Sequence, residues 1–383
     1  MDAIFAASNA TNMNYIHENP DWPDLKWDQA SLSVLLANVR HRQGRLLGKM
    51  EGLGFRLRAE ANLTTLTADV VKSSAIEGKH LDAEQVRSSI ARRLGLDVGG
   101  TAPSSRDVDG VVEMMLDATQ KHSEKLTADR LFGWHASLFP TGRSGMQRIT
   151  VGAWRPPEAG PMQVVSGPMG KERVHFEAPP ADRLDHEMAA FLEWFGDGNG
   201  MDPVLKAGIA HFRFVTIHPF EDGNGRIGRA LADMALARAE GTPERFYSMS
   251  AQIEAERKEY YNILERSQRG GLDMTRWLEW FLGCLGRAVD GAEENLANIL
   301  RKAKIWEEIN QAPVNERQRK VINRLLDGFD GKLSTSKYAK LAKCSGDTAL
   351  RDIKPLLDRG ILVQEESGGR STSYRLAETI PFD

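Results

Sequence analysis

The sequence predicts an all-α protein that carries one small β element. Apolar residues recur at three- and four-residue intervals over 31–77 and again over most of 106–290, which is the spacing of helices with one buried face. Two short β-rich runs, 163–165 and 173–176, lie in the Gly- and Pro-rich stretch 140–180, and they predict a β-hairpin rather than a sheet core. The chain has 383 residues, so roughly two to three domains are expected.

The helical segments have recognisable signals at their ends. Gly78 is suited to terminate the first of them, and Asp82 with Gln85 three residues later matches a capping box that opens the next. Gly, Pro and Ser are frequent over 98–106, which predicts a domain boundary. Further helical patterns are found at 108–120, 128–138, 184–195, 207–217, 229–239, 251–268, 275–289 and 293–309.

Four regions are predicted from these signals. They are an N-terminal helical region at 1–105, a second helical domain at 106–290, a linker helix at 291–311 and a compositionally distinct domain at 312–383. Within the last region, residues 312–375 carry 13 Lys or Arg against 8 Asp or Glu, whereas the whole chain has a formal net charge of −3. This charge argues against a globally basic nucleic-acid-binding protein but is compatible with a local basic surface.

Cysteine content and the N-terminus indicate the expected compartment. Cys284 and Cys344 provide neither a disulfide framework nor a metal-ligand cluster, which is typical of a reducing compartment. The N-terminus lacks a basic segment followed by an apolar one, and no apolar run reaches the roughly 18 residues that a membrane span requires. We therefore expect a cytoplasmic protein that does not cross a membrane.

Residues 218–229 concentrate the side chains that suit nucleotide chemistry. Gly223 and Gly225 permit positive φ and the close approach of an anion, and a helix that starts near Gly225 would present unpaired N–H groups to it. Arg226 and Arg229 are three residues apart on that helix, so both guanidinium groups can clamp a phosphate chain. The pattern predicts a polyphosphate-binding site.

Two further side chains of the same run are suited to catalysis. Asp222 offers a hard oxygen ligand to Mg²⁺, which commonly binds through one or two carboxylates and the phosphates of the substrate. His218 is the one side chain of the run whose ordinary pKa lies near neutrality, so it is the natural general base. A polyphosphate, its metal ion and a proton acceptor would thus meet in one turn.

Two other interpretations of the glycines fit less well. The string at 223–228 also matches a dinucleotide-binding fingerprint, but that site requires a preceding strand and an acidic residue after the next strand, about 20 residues further on. The run 246–250 ends without such an acid. An ordinary Gly-rich turn, as expected at 196–200, has neither the histidine nor the arginines.

The run from His218 to Arg229 matches the HPFx(D/E)GNGRxxR signature of the Fic family, named for filamentation induced by cAMP, at every defined position. The chain therefore resembles a Fic protein, and most characterised members of that family transfer AMP from ATP to a protein hydroxyl. The resemblance implies that His218 deprotonates a Ser, Thr or Tyr hydroxyl, which attacks the α-phosphorus. It also implies that Asp222 holds Mg²⁺ between the α- and β-phosphates.

The same resemblance assigns the phosphate contacts. Arg226 would bind the β-phosphate and Arg229 the γ-phosphate, while the Asn224 side chain would help to form the anion hole. The implied catalytic residues are thus His218, Asp222, Asn224 and Arg226, and the implied nucleotide contacts of this run also include Gly223, Gly225, Ile227, Gly228 and Arg229. Of the two remaining residues, Phe220 is expected in the core and Glu221 at the surface.

Residues 73–78 resemble the inhibitory motif (S/T)xxxE(G/N) of the family, placed before the catalytic motif. Ser73 and Glu77 share a helix face, and a carboxylate at the helix end could pair with Arg229 where the γ-phosphate would bind. ATP would then bind, but not in the in-line pose that transfer needs. The alternative is a solvated surface glutamate.

Residues 255–261 resemble the family helix that contacts the adenosine. This resemblance implies that Tyr261, with Tyr260, lies near the base and that Gln268 lies near the ribose or base. Paired tyrosines that complete a core are the alternative, because aromatic residues at helical spacing usually pack.

Residues 174–180 resemble the family's flap hairpin, which registers an incoming target strand by main-chain hydrogen bonds. Val174 and Phe176 would therefore lie next to the nucleotide. We interpret His175 as a flap side chain rather than as a second catalytic base.

The C-terminal region resembles a winged helix-turn-helix domain. Helical patterns at 315–326, 334–341 and 345–359 are followed by two β-rich runs, 361–363 and 374–376, that flank the Gly368–Gly369 turn. The third helix would be the recognition helix, although Pro355 departs from a regular helix. The side chains expected to face a DNA groove are Thr348, Arg351, Lys354 and Arg370.

We therefore expect an all-α Fic protein adenylyltransferase that is autoinhibited by Glu77, uses ATP and Mg²⁺, and modifies a target protein and itself. Removal of AMP, with Glu77 orienting a water, and transfer of another phosphate-bearing group are alternatives on the same site. A DNA-binding regulator that only senses ATP is an alternative of another class, and it would bind ATP without producing pyrophosphate. Residues 312–383 would bind DNA, or they would serve docking or homodimer formation.

Overall fold

The computed structural model describes residues 15–96, 102–167, 171, 173–197, 200–309, 313–326, 329, 331–365 and 372–377. The chain forms two compact units, Met1–Glu294 and Asn295–Asp383. Helices predominate and the sheets are small, which confirms the predicted all-α class. In the part of the chain that the structure describes, none of the helices has the length and apolar character needed to span a bilayer.

The first unit is built from helices that follow the predicted order. They are α1 (Gln29–Glu51), α2 (Phe55–Ile76), α3 (Ala83–Leu94), α4 (Arg106–Gln120), α5 (Ala128–Leu138), α6 (Leu184–Gly196), α7 (Pro203–Ile217), α8 (Asn224–Glu240), α9 (Met249–Ala255), α10 (Arg257–Gln268) and the first part of α11 (Thr275–Ile309).

Three of these helices differ from the prediction. The segment expected as one helix over 251–268 is divided at Glu256, whose backbone leaves the helical region and whose carboxylate is bound by Arg287. The two helices expected at 275–289 and 293–309 are one continuous helix, α11. Gly291 lies inside α11 without interrupting it. A single glycine lowers helix stability by only about 1 kcal/mol, which the rest of the helix can offset.

Two β-hairpins lie between α5 and α6. Strand β1 (Arg143–Ser144) pairs antiparallel with β2 (Gln147–Arg148), and β3 (Gln163–Ser166) pairs antiparallel with β4 (Arg173–Glu177). The second hairpin is the predicted one, with a register irregularity between Val164 and Val165. The first was not predicted, because two-residue strands leave no alternation to detect.

The helices α7 and α8 form the centre of the first unit. Every residue of α7 from Ala207 to Ile217 is buried, so the core surrounds this helix on all sides. Helix α8 is buried from Arg226 to Ala237. The short loop between them, residues 218–223, is therefore held from both sides by the core.

The end of α2 is a tight glycine turn. Glu77 is the C-cap residue, and Gly78 adopts a left-handed φ of +75°. The amide of Gly78 donates to the Ala75 carbonyl at 2.9 Å, and the amide of Lys79 donates to the Ser74 carbonyl at 2.9 Å. This pattern satisfies carbonyls at the helix end and confirms that the helix stops at Gly78.

Helix α3 begins at the predicted cap, but the predicted box is incomplete. The Asp82 carboxylate accepts from the Gln85 amide at 2.9 Å, as expected of an N-cap. The Gln85 side chain does not return to Asp82. Its oxygen instead accepts from the Ser105 amide at 3.1 Å, which ties the segment before α4 to α3.

The second unit is a small domain with its own core. It contains α12 (Glu316–Leu326), β5 (Leu333–Ser334), α13 (Thr335–Ala342), α14 (Gly346–Asp358), β6 (Leu362–Gln364) and β7 (Ser373–Leu376), with the strands in the antiparallel order β5-β7-β6. Pro355 lies inside α14. The predicted turn at Gly368–Gly369 and the predicted groove contact Arg370 lie outside the described residues.

Candidate active site

His218 caps the C-terminus of α7 in a left-handed conformation, with φ of 52°. Its amide donates to the Phe214 carbonyl at 2.9 Å, and its Nδ1 lies 3.1 Å from the Val215 carbonyl oxygen. A carbonyl can only accept, so Nδ1 carries the ring proton and Nε2 keeps a lone pair. The ring is thus oriented as a proton acceptor at Nε2.

The protonation state of His218 supports the same role. Burial lowers the pKa of His218 to about 4, although part of the residue remains exposed. The imidazole is therefore neutral at physiological pH, with Nε2 able to receive a proton.

Asn224 and Phe220 hold the loop between α7 and α8 in shape. The Asn224 amide oxygen accepts from the Phe220 amide at 3.0 Å, and its amide nitrogen donates to the Phe220 carbonyl at 2.7 Å. The Phe220 ring is fully buried, as predicted, and stacks on His135 with ring centroids 4.1 Å apart. The Asn224 side chain therefore fixes the loop, and its implied role in the anion hole stays a prediction.

Asp222 is oriented by three neighbours. Its Oδ1 accepts from the Gly223 amide at 2.6 Å, and its Oδ2 accepts from the Ser144 hydroxyl. The Gly152 amide contacts His135 Nδ1, so His135 Nε2 carries the proton and donates to the Asp222 carbonyl at 3.2 Å. Ser144 lies at the end of β1, and no sequence signal pointed to it.

Metal binding at Asp222 fits the donors that are present. Within the described residues, no cluster of three or more His, Cys, Asp or Glu could hold a metal ion by itself. Mg²⁺ commonly takes one or two carboxylates and completes its shell with water and substrate phosphates. The single carboxylate of Asp222 therefore suits a metal ion that arrives with a nucleotide.

Gly223 in the loop and Gly225 in the first turn of α8 allow neighbouring side chains to approach the backbone closely. Gly223 adopts φ of 87°, and a Cβ there would lie 2.9 Å from Cε2 of Phe139. A Cβ on Gly225 would lie 2.1 Å from Glu77 Oε1. The Glu77 carboxylate thus lies directly over the N-terminal turn of α8, where unpaired N–H groups and the helix dipole attract an anion.

Glu77 is held there by Arg229. The Arg229 Nη2 lies 2.9 Å from Glu77 Oε1, and the same group donates to the Ser73 carbonyl at 2.8 Å. Arg229 Nε donates to the Ser73 hydroxyl at 3.0 Å. The structure therefore brings both predicted residues of the 73–78 motif onto Arg229.

Arg226 and Arg229 are both buried, with 2% of each residue exposed. In the described parts of the chain, Arg226 Nε and Arg229 Nη1 are buried donors without a hydrogen-bond partner. Burial lowers the pKa of Arg226, and the nearby Asp222 and Glu77 partly offset this. Buried donors that lack partners are costly, and an anion at this place would satisfy them.

Ile227 and Gly228 lie in the core next to this cluster in sequence. Ile227 is fully buried, and a Cβ on Gly228 would lie 2.8 Å from Cγ1 of Val215 on α7. Both were assigned to nucleotide binding from the resemblance. Their visible role is the close packing of α8 on α7.

Arg155 links the catalytic loop to the second hairpin. It is buried, its Nε donates to the His218 carbonyl at 2.9 Å, and its amide donates to the Pro219 carbonyl at 2.8 Å. Its Nη2 donates to the Pro179 carbonyl just after β4. Arg155 could not be recognised from the sequence, because its partners are distant in the chain and no local spacing marks it.

The β3–β4 hairpin is attached to α10 by ionic contacts. Glu265 accepts from Arg173 at 2.9 Å and lies 2.7 Å from His175 Nδ1, while Arg269 Nε donates to the His175 carbonyl at 2.9 Å. The Val174 carbonyl accepts from Arg269 at 3.0 Å. His175 is a hairpin side chain, in line with its predicted placement.

Phe176, the other predicted flap contact, points into the structure. It is buried and packs edge-on against Tyr15, with ring centroids 5.2 Å apart, and against His17. It anchors the hairpin rather than presenting a surface to a ligand.

The three residues assigned to the adenosine side divide into two groups. Tyr260 is buried, and its hydroxyl lies 3.0 Å from His211 Nε2, so it belongs to the core as the alternative interpretation held. Gln268 is also buried and donates to the Thr216 hydroxyl at 3.3 Å. Tyr261 is 37% exposed and donates to the Ile76 carbonyl at 3.4 Å, which leaves its ring open beside Glu77.

The buried His211 gives a pH-dependent prediction. Burial, with a smaller effect of Arg229, lowers the pKa of His211 to about 3 in the folded protein. As pH falls below about 6.5, His211 is therefore protonated in the unfolded chain before it is protonated in the folded protein. Stability from this group is complete above that pH and is lost as pH falls toward the folded pKa. The fall in unfolding free energy from pH 7 to 5 should be about 2 kcal/mol smaller in His211→Gln than in wild type.

Urea unfolding of both proteins at the two pH values measures this difference. Burial raises the pKa of Asp69 to about 8, so Asp69 changes the unfolding free energy with pH in the opposite direction. This contribution is the same in both proteins and cancels in the comparison. Equal pH dependence in the two proteins would contradict the assignment of a neutral, buried His211.

Parts of the chain match known families and known proteins. Residues 125–236 match the model of the Fic/DOC family, and residues 15–96 match a domain of unknown function, DUF4172. Protein adenylyltransferase fic-1 of Caenorhabditis briggsae is 28% identical over 255 residues, which cover 63% of this chain and 46% of that protein. Protein adenylyltransferase Fic of Nematostella vectensis is 27% identical over 227 residues, which cover 58% of this chain and 47% of that protein. The chain thus spans about half the length of these curated relatives.

Solved structures show the same fold. A Fic family protein from Desulfovibrio desulfuricans G20 superposes with a TM-score of 0.51 at 24% identity, covering 92% of this chain and 97% of that one. A fragment of Fic-1 from Caenorhabditis elegans superposes with a TM-score of 0.50 at 19% identity, covering 71% of this chain and 74% of that one. From the matched residues 125–236, the curated relatives and the motif between α7 and α8, we conclude that the chain carries a Fic/DOC family domain.

Proposed function

We propose that this protein is a protein adenylyltransferase, which transfers AMP from ATP to a Ser, Thr or Tyr hydroxyl of a target protein, and that Glu77 restrains it. The observation that carries the proposal is the place of the Glu77 carboxylate, over the N-terminus of α8 and on Arg229. A carboxylate there indicates a site built for an anion. His218 Nε2, a free proton acceptor, belongs to the loop that leads into the same helix. The names of the curated relatives support this activity.

Phosphate binding would use the groups that lack partners now. Arg226 Nε and Arg229 Nη1 are buried donors, and the first turn of α8 supplies backbone N–H groups. A triphosphate would satisfy both arginines and the helix N-terminus together. Asp222 would hold Mg²⁺, which when bound would neutralise part of the phosphate charge and orient the phosphates.

The chain's own residues would then carry the proton and position the reacting groups. His218 Nε2 would take the proton of the target hydroxyl as its oxygen attacks the α-phosphorus, and pyrophosphate would leave toward Arg226 and Arg229. Asn224 and Arg155 would keep the His218 loop in place. The β3–β4 hairpin would register the target strand through main-chain hydrogen bonds.

Glu77 would act as the brake by competing with the γ-phosphate for Arg229. Glu77 Oε1 lies 2.9 Å from Arg229 Nη2, so a γ-phosphate that approached the same nitrogen would meet the negative charge of Glu77. ATP bound beside Glu77 would be displaced from the in-line pose that transfer requires.

Arg226→Ala tests the phosphate clamp. A charge-assisted hydrogen bond contributes about 1.5–3 kcal/mol, so we expect a roughly ten- to hundredfold loss of ATP affinity, with adenosine affinity unchanged. Isothermal titration calorimetry measures both ligands. The exposed Arg276 on α11 provides the matched control, Arg276→Ala. An Arg226→Ala protein that binds ATP as wild type does would remove Arg226 from the phosphate site.

The experiment that tests the activity compares ATP labelled at the α-phosphorus with ATP labelled at the γ-phosphorus. Glu77→Gly protein would be incubated with each, and protein-bound label, pyrophosphate and intact mass would be measured. AMP transfer predicts α-label on protein together with pyrophosphate. Protein-bound γ-label without α-label would indicate phosphoryl transfer, and ATP binding without pyrophosphate would indicate a sensor. Loss of AMP from an adenylylated protein would indicate removal.

The remaining assignments stay predictions. Residues 312–383 are proposed as a winged helix-turn-helix that binds DNA, because α14 exposes Arg351 and Lys354 on the face opposite its buried Ile353. Docking or homodimer formation by this unit is the alternative. Self-modification and a cytoplasmic location are likewise proposed.

A further inference from the structure

The turn that ends α2 places a second charged side chain beside the phosphate site. Gly78, with its φ of +75°, reverses the backbone directly after Glu77, and the Lys79 amide closes the turn on the Ser74 carbonyl at 2.9 Å. Glu77 and Lys79 are therefore fixed by the same hydrogen-bonded turn. Glu77 carries the carboxylate that lies over the N-terminus of α8, and Lys79 carries a positive charge.

The Lys79 ammonium shares an aromatic surface with Arg226. Its Nζ lies 5.2 Å from the centroid of the Phe139 ring, and the Arg226 guanidinium carbon lies 5.1 Å from the same centroid. The position of a Cβ on Gly223 would be 2.9 Å from that ring. The Phe139 ring is thus close to Lys79, to Arg226 and to the residue that precedes α8.

The Lys79 ammonium lies near one cation and three carboxylates. Burial and the charge of Arg226 lower the pKa of Lys79, against the opposing effects of Asp222, Asp107 and Glu77. Within the described residues, no carboxylate forms an ion pair with its ammonium. Once the Glu77 carboxylate is displaced, two neighbouring cations beside a helix N-terminus favour a multiply charged anion there.

We propose that Lys79 is a third phosphate-binding cation, which contacts the β- and γ-phosphate oxygens of bound ATP together with Arg226 and Arg229. This inference rests on the proposed function, because it requires a triphosphate at the N-terminus of α8. It assigns the turn 77–79 two roles: Glu77 competes with the γ-phosphate, and Lys79 binds the phosphates once Glu77 is displaced. The N-terminal region therefore completes the nucleotide site in addition to restraining it.

The test removes the charge of Lys79 while keeping its apolar stem on Phe139. Lys79→Met and Lys79→Arg would be made in the Glu77→Gly/His218→Ala background, where Glu77 no longer competes and nucleotide is not consumed. Calorimetry with ATP, ADP, AMP and adenosine would be run with Mg²⁺ present. We expect Lys79→Met to weaken ATP binding about tenfold, AMP and adenosine binding to change less than about twofold, and Lys79→Arg to restore ATP affinity.

Two controls separate this inference from the others. Lys72→Met changes a lysine on α2 that pairs with Glu254, and it should bind every nucleotide as the background does. Arg226→Ala in the same background tests the phosphate site itself. If Arg226→Ala weakens ATP binding and Lys79→Met does not, the role of Lys79 is wrong while the proposed site stands. If neither substitution affects ATP, the proposed phosphate site fails.

Further results of the same experiment test whether Lys79 binds phosphate. An equal loss of ATP and adenosine affinity in Lys79→Met would assign Lys79 to packing on Phe139 and overturn the proposal. If Lys79→Met weakens the binding of ATP alone and Lys79→Arg does not restore it, the position tolerates no larger cation. A weaker dependence of ATP affinity on salt in Lys79→Met would then support direct charge contact, and an unchanged dependence would overturn it.

Discussion

Replacement of His218 by alanine is expected to abolish AMP transfer while ATP affinity stays close to that of wild type. The structure leaves His218 Nε2 unprotonated and its Nδ1 bound to the Val215 carbonyl, so the residue can accept a proton without contacting phosphate. Loss of a positioned general base typically costs roughly a hundred- to ten-thousandfold in rate. Intact mass after incubation with Mg²⁺ and ATP measures transfer, and calorimetry measures affinity.

The pH dependence offers an independent check of the same base. Since burial lowers the pKa of His218 to about 4, the group stays deprotonated above that pH. The rate should therefore show no loss from protonation of His218 as pH falls from 8 to about 5, and should decline only as pH approaches 4. His186→Ala, an exposed histidine on α6, is the matched control. Normal turnover by His218→Ala would refute the assignment.

The residues of the 218–229 run were predictable because their chemistry is local. Gly223 and Gly225 indicated close anion approach, and the structure shows a carboxylate over Gly225. Arg226 and Arg229 were expected on one helix face, and both are buried donors beside that carboxylate. The sequence pattern marks a site where consecutive residues provide the backbone, the charges and the helix start.

Other parts of the site could not be predicted, because their partners are remote in sequence. Arg155 and Ser144 act on His218 and Asp222 from segments more than 60 residues away, and neither carries a motif. Asn224 has a local motif position, but its hydrogen bonds with Phe220 depend on the folded loop. Tyr260 illustrates the same limit, since only the packed core reveals that His211 binds its hydroxyl.

The proposed inhibitory motif at 73–78 was predictable only in part. The spacing of Ser73 and Glu77 predicted a shared helix face, but only the resemblance named Arg229 as their partner. The structure brings all three together and adds the glycine turn that positions Lys79, which the sequence pattern did not single out. Lys79 is exposed, and only the three-dimensional structure shows that its ammonium lies over the Phe139 ring.

Replacement of Glu77 by glycine is expected to raise AMP transfer at least about tenfold, since the 2.9 Å ion pair with Arg229 is lost and Arg229 becomes available to the γ-phosphate. Glu77→Gln, which keeps the size but removes the charge, should raise transfer by less. The double change Glu77→Gly with His218→Ala should be inactive, because release of the brake does not replace the base.

Arg229→Ala separates release of the brake from formation of a productive site. It removes the partner of Glu77, but it also removes the donors that the γ-phosphate would use, and Glu77 still lies over Gly225. We therefore expect Arg229→Ala to remain inactive although its ion pair is broken. Intact mass over time, with self-modification and a target protein as acceptors, compares the four variants with wild type. If wild type and Glu77→Gly gain AMP at the same rate on the same acceptor, Glu77 contacts Arg229 without restraining transfer.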